Sequence, residues 1–428
     1  MTRAFARPRQ RPGATIAMAM ATAMIAAGLA MAPGNLRAAD IDEFIRTARK
    51  MNPEAAAMAL EADAASARVD AAGALDDPRF KTELELPRAN PGSLPGTRVG
   101  QELYQLRQMF PLWGKRDLQR DIARWNSRGS RARLDEVENQ LAYRVKLAYA
   151  EYHAAHLAAD ETRTLLASMR TLSDLARARY AQGAGKQQDV TTAEAERALL
   201  DVELARMDAE RRRAQVRLNG LMARAPGTPL PPHPQPRPVP RADTLPMDAL
   251  VERARTDFPA VRTGQAQAEA ADSTRHLSER SWYPDVEVGL GAIRRDGRFD
   301  GYQAMVEFSI PLQIDRRRAE QREAAGMAAA ARAKVDQIRQ DVTTGLHEAH
   351  VLLEALAQRK RLLREVTMPQ ARIAVDAAMN AYQVGREELT SVLLAQQTLR
   401  RAMVETVTVL FDEQIRLAEI ERLIGGEL

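Results

Sequence analysis

Tyr180-Ala181-Gln182-Gly183, running on to Asp189-Val190-Thr191-Thr192-Ala193, returns about 200 residues later as Tyr382-Gln383-Val384-Gly385, running on to Ser391-Val392-Leu393-Leu394-Ala395. In both copies a glycine follows the tyrosine by three positions, a valine by ten and an alanine by thirteen. Upstream, Phe110-Pro111-Leu112 is echoed by Ile310-Pro311-Leu312, each time between an alternating run and a very long helical stretch. The chain is therefore written twice. A duplicated plan of strand, strand, long helix, turn and returning helix describes the wall of a tube and not an enzyme pocket.

The alternating runs predict four strands, at 79–87, 100–112, 284–293 and 302–312. In the first, Phe80, Thr82, Leu84 and Leu86 alternate with Lys81, Glu83 and Glu85; in the second, Tyr104, Leu106, Phe110 and Leu112 oppose Gln101, Gln105 and Arg107. The second copy sets Val286, Val288, Leu290 and Ala292 against Asp285, Glu287, Gly289 and Gly291, then Tyr302, Val306, Phe308 and Ile310 against Gln303, Met305 and Glu307. A polar turn, 294–301, separates that pair. Strands of about ten residues are long enough to cross a bilayer when tilted.

Helices are expected at 41–74, 115–182, 187–222, 247–280, 316–384 and 387–424. The two longest would each reach roughly 100 Å, far beyond an ordinary globular helix, and Pro369 is the main blemish in the second. In the last helix Val392, Leu399, Met403, Val407, Leu410, Leu417 and Ile424 form a coiled-coil seam. Between the copies, residues 225–246 are rich in proline and read as an extended spacer. The first repeat is thus 39–224 and the second 247–428.

The net charge of +5 looks like an affinity for nucleic acid, but Arg3, Arg7, Arg9, Arg11 and Arg37 account for all of it. Of 62 basic residues, 57 remain outside that segment against 57 acidic ones, and aromatics are only 4 % of the chain. Few rings and no basic excess exclude a base-stacking surface. Residues 1–38 read as a secretory signal: an arginine-rich start, an apolar run from Ala14 to Ala32, and small residues suited to cleavage at Ala32 or at Ala38–Ala39. A retained membrane anchor is the alternative. No later window is apolar enough to span as a helix, so entry into a membrane would require a β-barrel. With no cysteine there can be no disulfide, thiolate metal site or lipid-modified cysteine in this sequence.

Four strands cannot close a barrel, and open edges in lipid leave backbone groups unsatisfied, so the protomer must associate. Two copies would give about eight strands, a barrel filled by its own side chains; three give about twelve and leave room for water. The expected fold is an α+β membrane protein: a homotrimeric twelve-stranded β-barrel, four strands per protomer, continued by a long α-helical coiled-coil tunnel.

Met109-Phe110-Pro111-Leu112-Trp113-Gly114-Lys115-Arg116, its echo Ile310-Pro311-Leu312, and Asn380-Ala381-Tyr382-Gln383-Val384-Gly385 with Val392 and Ala395 resemble the TolC-type outer-membrane efflux proteins. The resemblance covers essentially all of the chain after the signal segment and is nearest the branch of the CusC and CzcC metal-efflux channels. It implies a passive exit duct in the outer membrane that uses no cofactor. It also implies docking to a periplasmic adaptor and an inner-membrane pump of the RND type, with metal cations as cargo and organic drugs and solvents as the alternative. By that resemblance the hairpin tips, Tyr180, Gly183, Tyr382 and Gly385, meet the adaptor. Where the family's second repeat carries acidic gate residues six and nine positions after the glycine, this chain has Ser391 and Leu394, while the first copy keeps Asp189. A gate ring of Asp189 is therefore expected, with Ser391 its counterpart.

On residue chemistry alone, each tip glycine supplies the positive φ that a tight helix reversal needs, and each tyrosine packs its hairpin. Asp189 could equally serve as an acidic charge near a helix N-terminus. Lys81, Glu83, Glu85, Arg107, Glu287 and Glu307 are candidate lumen residues, although any wet strand face would show them. His153 with His156 and His347 with His350 have metal-ligand spacing but no evident third ligand, so no metal site is assigned. Trp113 and Trp282 suit either an interfacial belt or packing at the sheet–helix junction. No nucleotide loop, cysteine nucleophile or HExxH motif is present. The rival reading is a soluble periplasmic coiled-coil scaffold or adaptor.

Overall fold

The computed structural model describes residues 41–85 and 100–428. The expected signal segment 1–38, the end of the first expected strand and the loop after it lie outside the described residues. The order is α1 (Ile41–Met51), α2 (Pro53–Ala72), β1 (Arg79–Glu85), β2 (Gln101–Phe110), α3 (Lys115–Ala181) and α4 (Gln187–Leu221) in the first copy. The second contributes α5 (Met247–Asp257), α6 (Pro259–Glu279), β3 (Val286–Arg295), β4 (Arg298–Phe308), α7 (Ile314–Leu362), α8 (Met368–Gln383) and α9 (Leu389–Leu423). The chain is mostly helical with one small sheet.

Two helices expected as single rods are broken. In 41–74, the Asn52 carboxamide oxygen accepts the Glu54 N–H at 2.9 Å and Pro53 begins α2, so the chain turns there. In 247–280 the corresponding break falls at Phe258, ahead of Pro259 at the start of α6. By contrast α3 runs unbroken for 67 residues. Its counterpart is continuous but rewound: Leu363–Thr367 form a π turn between α7 and α8. Pro369 lacks an N–H and its ring crowds the carbonyl four residues back, and the wider turn relieves both.

The helices α4 and α9, 35 residues each, reach only half as far as the rods they pack on. Along the remaining half, α3 packs against α2 and α6, and α7 against α6. One apolar cluster fills the hairpin ends (Leu166, Leu172, Val375, Tyr382, Val392, Leu399). Two more lie midway and correspond between repeats: Phe44, Leu141, Val145 and Leu218 in one, Leu250, Val261, Leu346 and Ile420 in the other.

The proline-rich segment is no free spacer but a strap held on the midway clusters. Proline offers no N–H, so the strap's carbonyls take donors from the helices. Tyr149 Oη donates to Gln235 O at 3.0 Å, Tyr152 Oη to Pro231 O at 3.0 Å and Gln414 Nε2 to Arg237 O at 2.8 Å. Arg237 and Lys146 both pair with the buried Glu421, at 2.7 and 2.9 Å. The segment also contains a short 3₁₀ turn, Ala242–Thr244.

The sheet is antiparallel throughout, in the order β1-β2-β3-β4, so β2 and β3 join the two repeats and β1 and β4 form its edges. The turn expected at 294–301 is much tighter. Asp296 and Gly297 both take positive φ, 49° and 79°, and Arg294, Arg295, Arg298 and Phe299 pair across it. Two residues in that conformation match the twist of a hairpin, which lengthens both strands toward the turn. At the other end β4 stops at Phe308, short of the expected 312, and β2 at Phe110, each ahead of a proline.

Candidate functional site: two hairpin tips and a two-faced sheet

Both long hairpins reverse through the same hydrogen bonds. Ala184 N donates to Arg179 O at 2.9 Å and Gly183 N to Tyr180 O at 2.9 Å; Arg386 N donates to Ala381 O at 2.9 Å and Gly385 N to Tyr382 O at 3.1 Å. Gly183 and Gly385 sit at φ 72° and 77°, the left-handed conformation that ends a helix in this way.

The side chains around the turns do not repeat. Tyr382 is 1 % exposed, whereas its counterpart Tyr180 is 49 % exposed and does not pack its hairpin as expected. The Tyr382 hydroxyl donates to Asp189 Oδ2 at 3.1 Å, and the Arg179 guanidinium lies 4.5 Å above its ring. Arg179 also donates to the carbonyl of Tyr382 and, at 3.1 Å, to that of Ala184. Lys186 and Glu388 add a salt bridge of 3.2 Å between the tips. Burial first, and then the bond to the Asp189 carboxylate, push the Tyr382 phenol up to about 12, so it stays a donor. Ser391 instead donates to Glu387 Oε2 on its own hairpin at 2.8 Å. The structure thus brings Asp189 to Tyr382 and not to Ser391. Arg179, which ties the tips together, was missed; its signal was the mismatch with its repeat counterpart, Ala381.

The sheet register puts Phe80, Leu84, Tyr104, Leu106, Leu290, Tyr302, Val306 and Phe308 on one face, much of it exposed. All six charged candidates, Lys81, Glu83, Glu85, Arg107, Glu287 and Glu307, fall on the other. Lys81 pairs with Glu83 at 2.9 Å; Arg107 reaches Glu307 at 3.8 Å; Glu287 stands directly across from Glu307. Where sheet meets helices, Trp113 Nε1 donates to Pro284 O at 3.0 Å, and Lys115 pairs with Asp285 at 2.9 Å, clasping the repeats together. Trp282 lies beside the Arg317 guanidinium.

Two of the candidate histidines sit against backbone carbonyls. His156 Nδ1 lies 3.0 Å from Tyr152 O, and His350 Nε2 3.0 Å from Ala242 O of the strap. Burial lowers the pKa of His153 and His156. Among the described residues no three His, Asp or Glu side chains are grouped to hold a metal, and no helix is long and apolar enough to cross a membrane.

A family model described as "Outer membrane efflux protein" matches residues 44–224 and 250–426, two segments that flank the strap. The chain belongs to the outer membrane efflux protein family. It is 29 % identical over 307 residues to the nickel and cobalt resistance protein CnrC of Cupriavidus metallidurans, covering 69 % of each chain. To the nickel-cobalt-cadmium resistance protein NccC of Alcaligenes xylosoxydans xylosoxydans it is 28 % identical over 339 residues, 75 % of this chain and 72 % of that one. Its fold matches the outer-membrane channel OprN with a TM-score of 0.79 at 19 % identity, over 90 % of both chains. CusC matches with a TM-score of 0.78 at 15 % identity, over 90 % of this chain and 92 % of that one. These two structures share the fold of this chain.

Proposed function

We propose that three copies of this chain close a twelve-stranded barrel in the outer membrane, reached after export by the signal segment, and that the rods continue it as a tunnel across the periplasm. The observation that carries this reading is the sheet, whose edges β1 and β4 are unpaired among the described residues and whose exposed apolar face lies opposite a charged one. An apolar outer face suits lipid, a charged inner face suits water, and edge-to-edge pairing of copies satisfies the edges. A soluble scaffold would leave that apolar face in water without a use.

The duct carries out no chemistry. Substrate enters from an RND-type pump and its periplasmic adaptor, which engages the tips at Tyr180, Gly183, Tyr382 and Gly385. Within each protomer the Asp189–Tyr382–Arg179 contacts hold the hairpins together at rest, and separating them widens the entrance. The resistance proteins it resembles point to metal cations, nickel and cobalt first, as cargo.

The test is to separate inner and outer membranes and measure the native mass of the detergent-extracted protein. A trimer in the outer membrane is expected; a soluble monomer or dimer overturns the reading. Loss of the chain should sensitise cells to nickel and cobalt salts, and sensitisation to organic compounds alone would reassign the cargo.

A further inference from the structure

Gln105 is a polar side chain in the middle of a sheet whose apolar residues are largely exposed, yet it is 1 % exposed itself. It can be buried there because β3 has no side chain beneath it. Its neighbours across β2–β3 are Gly291, directly opposite, and Gly289, opposite Arg107. A Cβ at Gly289 would lie 2.8 Å from Gln105 Nε2 and 3.3 Å from Arg107 Cγ, and one at Gly291 would lie 2.7 Å from Tyr104 O. The two glycines form a saddle, and Gln105 fills it. From the saddle its carboxamide oxygen accepts Arg107 Nε at 2.6 Å.

That bond aims the guanidinium. Held at Nε, Arg107 leans across β3 to within 3.8 Å of Glu307 on β4, two strands away. Such strands lie roughly 9–10 Å apart, a span open to one arginine only because the strand between carries glycine at both positions. Holding a long side chain in one conformation costs rotamer entropy, which a 2.6 Å hydrogen bond to a buried partner offsets. The other charges on the face are differently placed. Lys81 is neutralised locally by Glu83, Arg79 faces Arg107 from the edge strand, Glu287 and Glu307 lie one step nearer the helices, and toward the hairpin turn Arg295 pairs with Asp300 at 3.4 Å while Glu85 sits on the edge strand.

We propose that Gln105, seated on Gly289 and Gly291, is a positioning residue that fixes Arg107 as the charge by which the polar face discriminates anions from cations. It rests on the reading that this face lines the lumen. In a trimer the three guanidinium groups form a ring, each set 3.8 Å from a Glu307 carboxylate and placed just beyond the Glu287 and Glu307 row on the way out.

The chain contains no cysteine, so a single engineered thiol reports the local field. Met305→Cys places it on β4 across Gly289 from Arg107, and Val306→Cys places one on the apolar face. Intact cells are treated at low salt with membrane-impermeant thiol reagents of equal size and opposite charge, and the ratio of anionic to cationic rates is taken. Because that ratio compares two reagents at one thiol, it is insensitive to protein yield and thiol reactivity. Arg107→Gln in the Met305→Cys background should lower the ratio about fourfold, twofold for each reagent, as one charge roughly 10 Å away across water gives. Gln105→Leu and Gly289→Ala should each lower it part of the way and have no further effect when Arg107 is already glutamine. An unchanged ratio in Arg107→Gln, or a Gln105→Leu effect that persists in the Arg107→Gln background, overturns the proposal while leaving the duct intact. If the thiol at 305 reacts no faster than that at 306, the lumen reading itself fails, and the proposal with it.

Discussion

At the first hairpin tip Tyr180 lies half in solvent, while at the second its counterpart Tyr382 is enclosed by Arg179 above its ring and Asp189 at its hydroxyl. The turns beneath them share the same backbone bonds and the same left-handed glycine. Duplication has preserved the local reversal, which short-range hydrogen bonds specify. It has not preserved the contacts between hairpins, because Arg179 and Asp189 have Ala381 and Ser391 as counterparts. One tip has become a latch on the other.

The largest break in this comparison should come from truncating the two tyrosines. Tyr382→Ala empties a filled site and should cost about 3–5 kcal/mol, by analogy with other buried aromatics. Tyr180→Ala, at the surface, should stay within about 0.5 kcal/mol. Thermal unfolding in detergent would separate the two, and equal losses would end the asymmetry.

Removing one hydroxyl is the next test. Tyr382→Phe leaves Asp189 without its donor, a loss of about 1.5–3 kcal/mol for a bond to a charged group, and should raise conductance in planar bilayers; Tyr180→Phe should do neither. The same contact gives a pH dependence. The Tyr382 phenol is raised in the folded chain to about 12 from its ordinary value of 10.0. The folded state therefore holds this proton more tightly, so the latch is at full strength below about pH 10 and is lost as pH rises through about 12. The difference in alkaline phenolate absorbance between the native chain and Tyr382→Phe should appear late, near 12; a difference that appears near 10 would contradict the buried contact.

Smaller still is the difference between the two glycines. Each taken to alanine should lose about 1–2 kcal/mol for left-handed backbone. Gly385→Ala should lose more, since its Cβ would stand 3.2 Å from Arg179 Nη2 whereas nothing lies within 4 Å at Gly183. Ser391→Ala, which removes only a bond to Glu387 on the same surface, should change stability by less than about 0.5 kcal/mol, against a clear loss for Asp189→Asn.

Much of the fold could be read because its periods are strong. Alternation located the four strands and their two faces, and the register keeps every charged candidate on one side. The breaks at Asn52 and Phe258 were less legible, since helix-forming sequence lies on both sides and the turn depends on the residue before a proline. The hairpin at Asp296-Gly297 was hidden among arginines that belong to the strands. The strap looked like a spacer because proline composition reports extension and says nothing about which tyrosines will donate to its carbonyls.

The sequence by itself determined the duplication, the two faces of the sheet, the long rods and the glycine reversals, because each follows from spacing along the chain. Only the tertiary structure decided that Arg179 and Asp189 converge on Tyr382, that Gln105 rests on two glycines to aim Arg107, and that Glu421 anchors the strap. These contacts join residues from different helices or strands, and their distances are set by how the rods and strands pack. No period in the sequence encodes that packing.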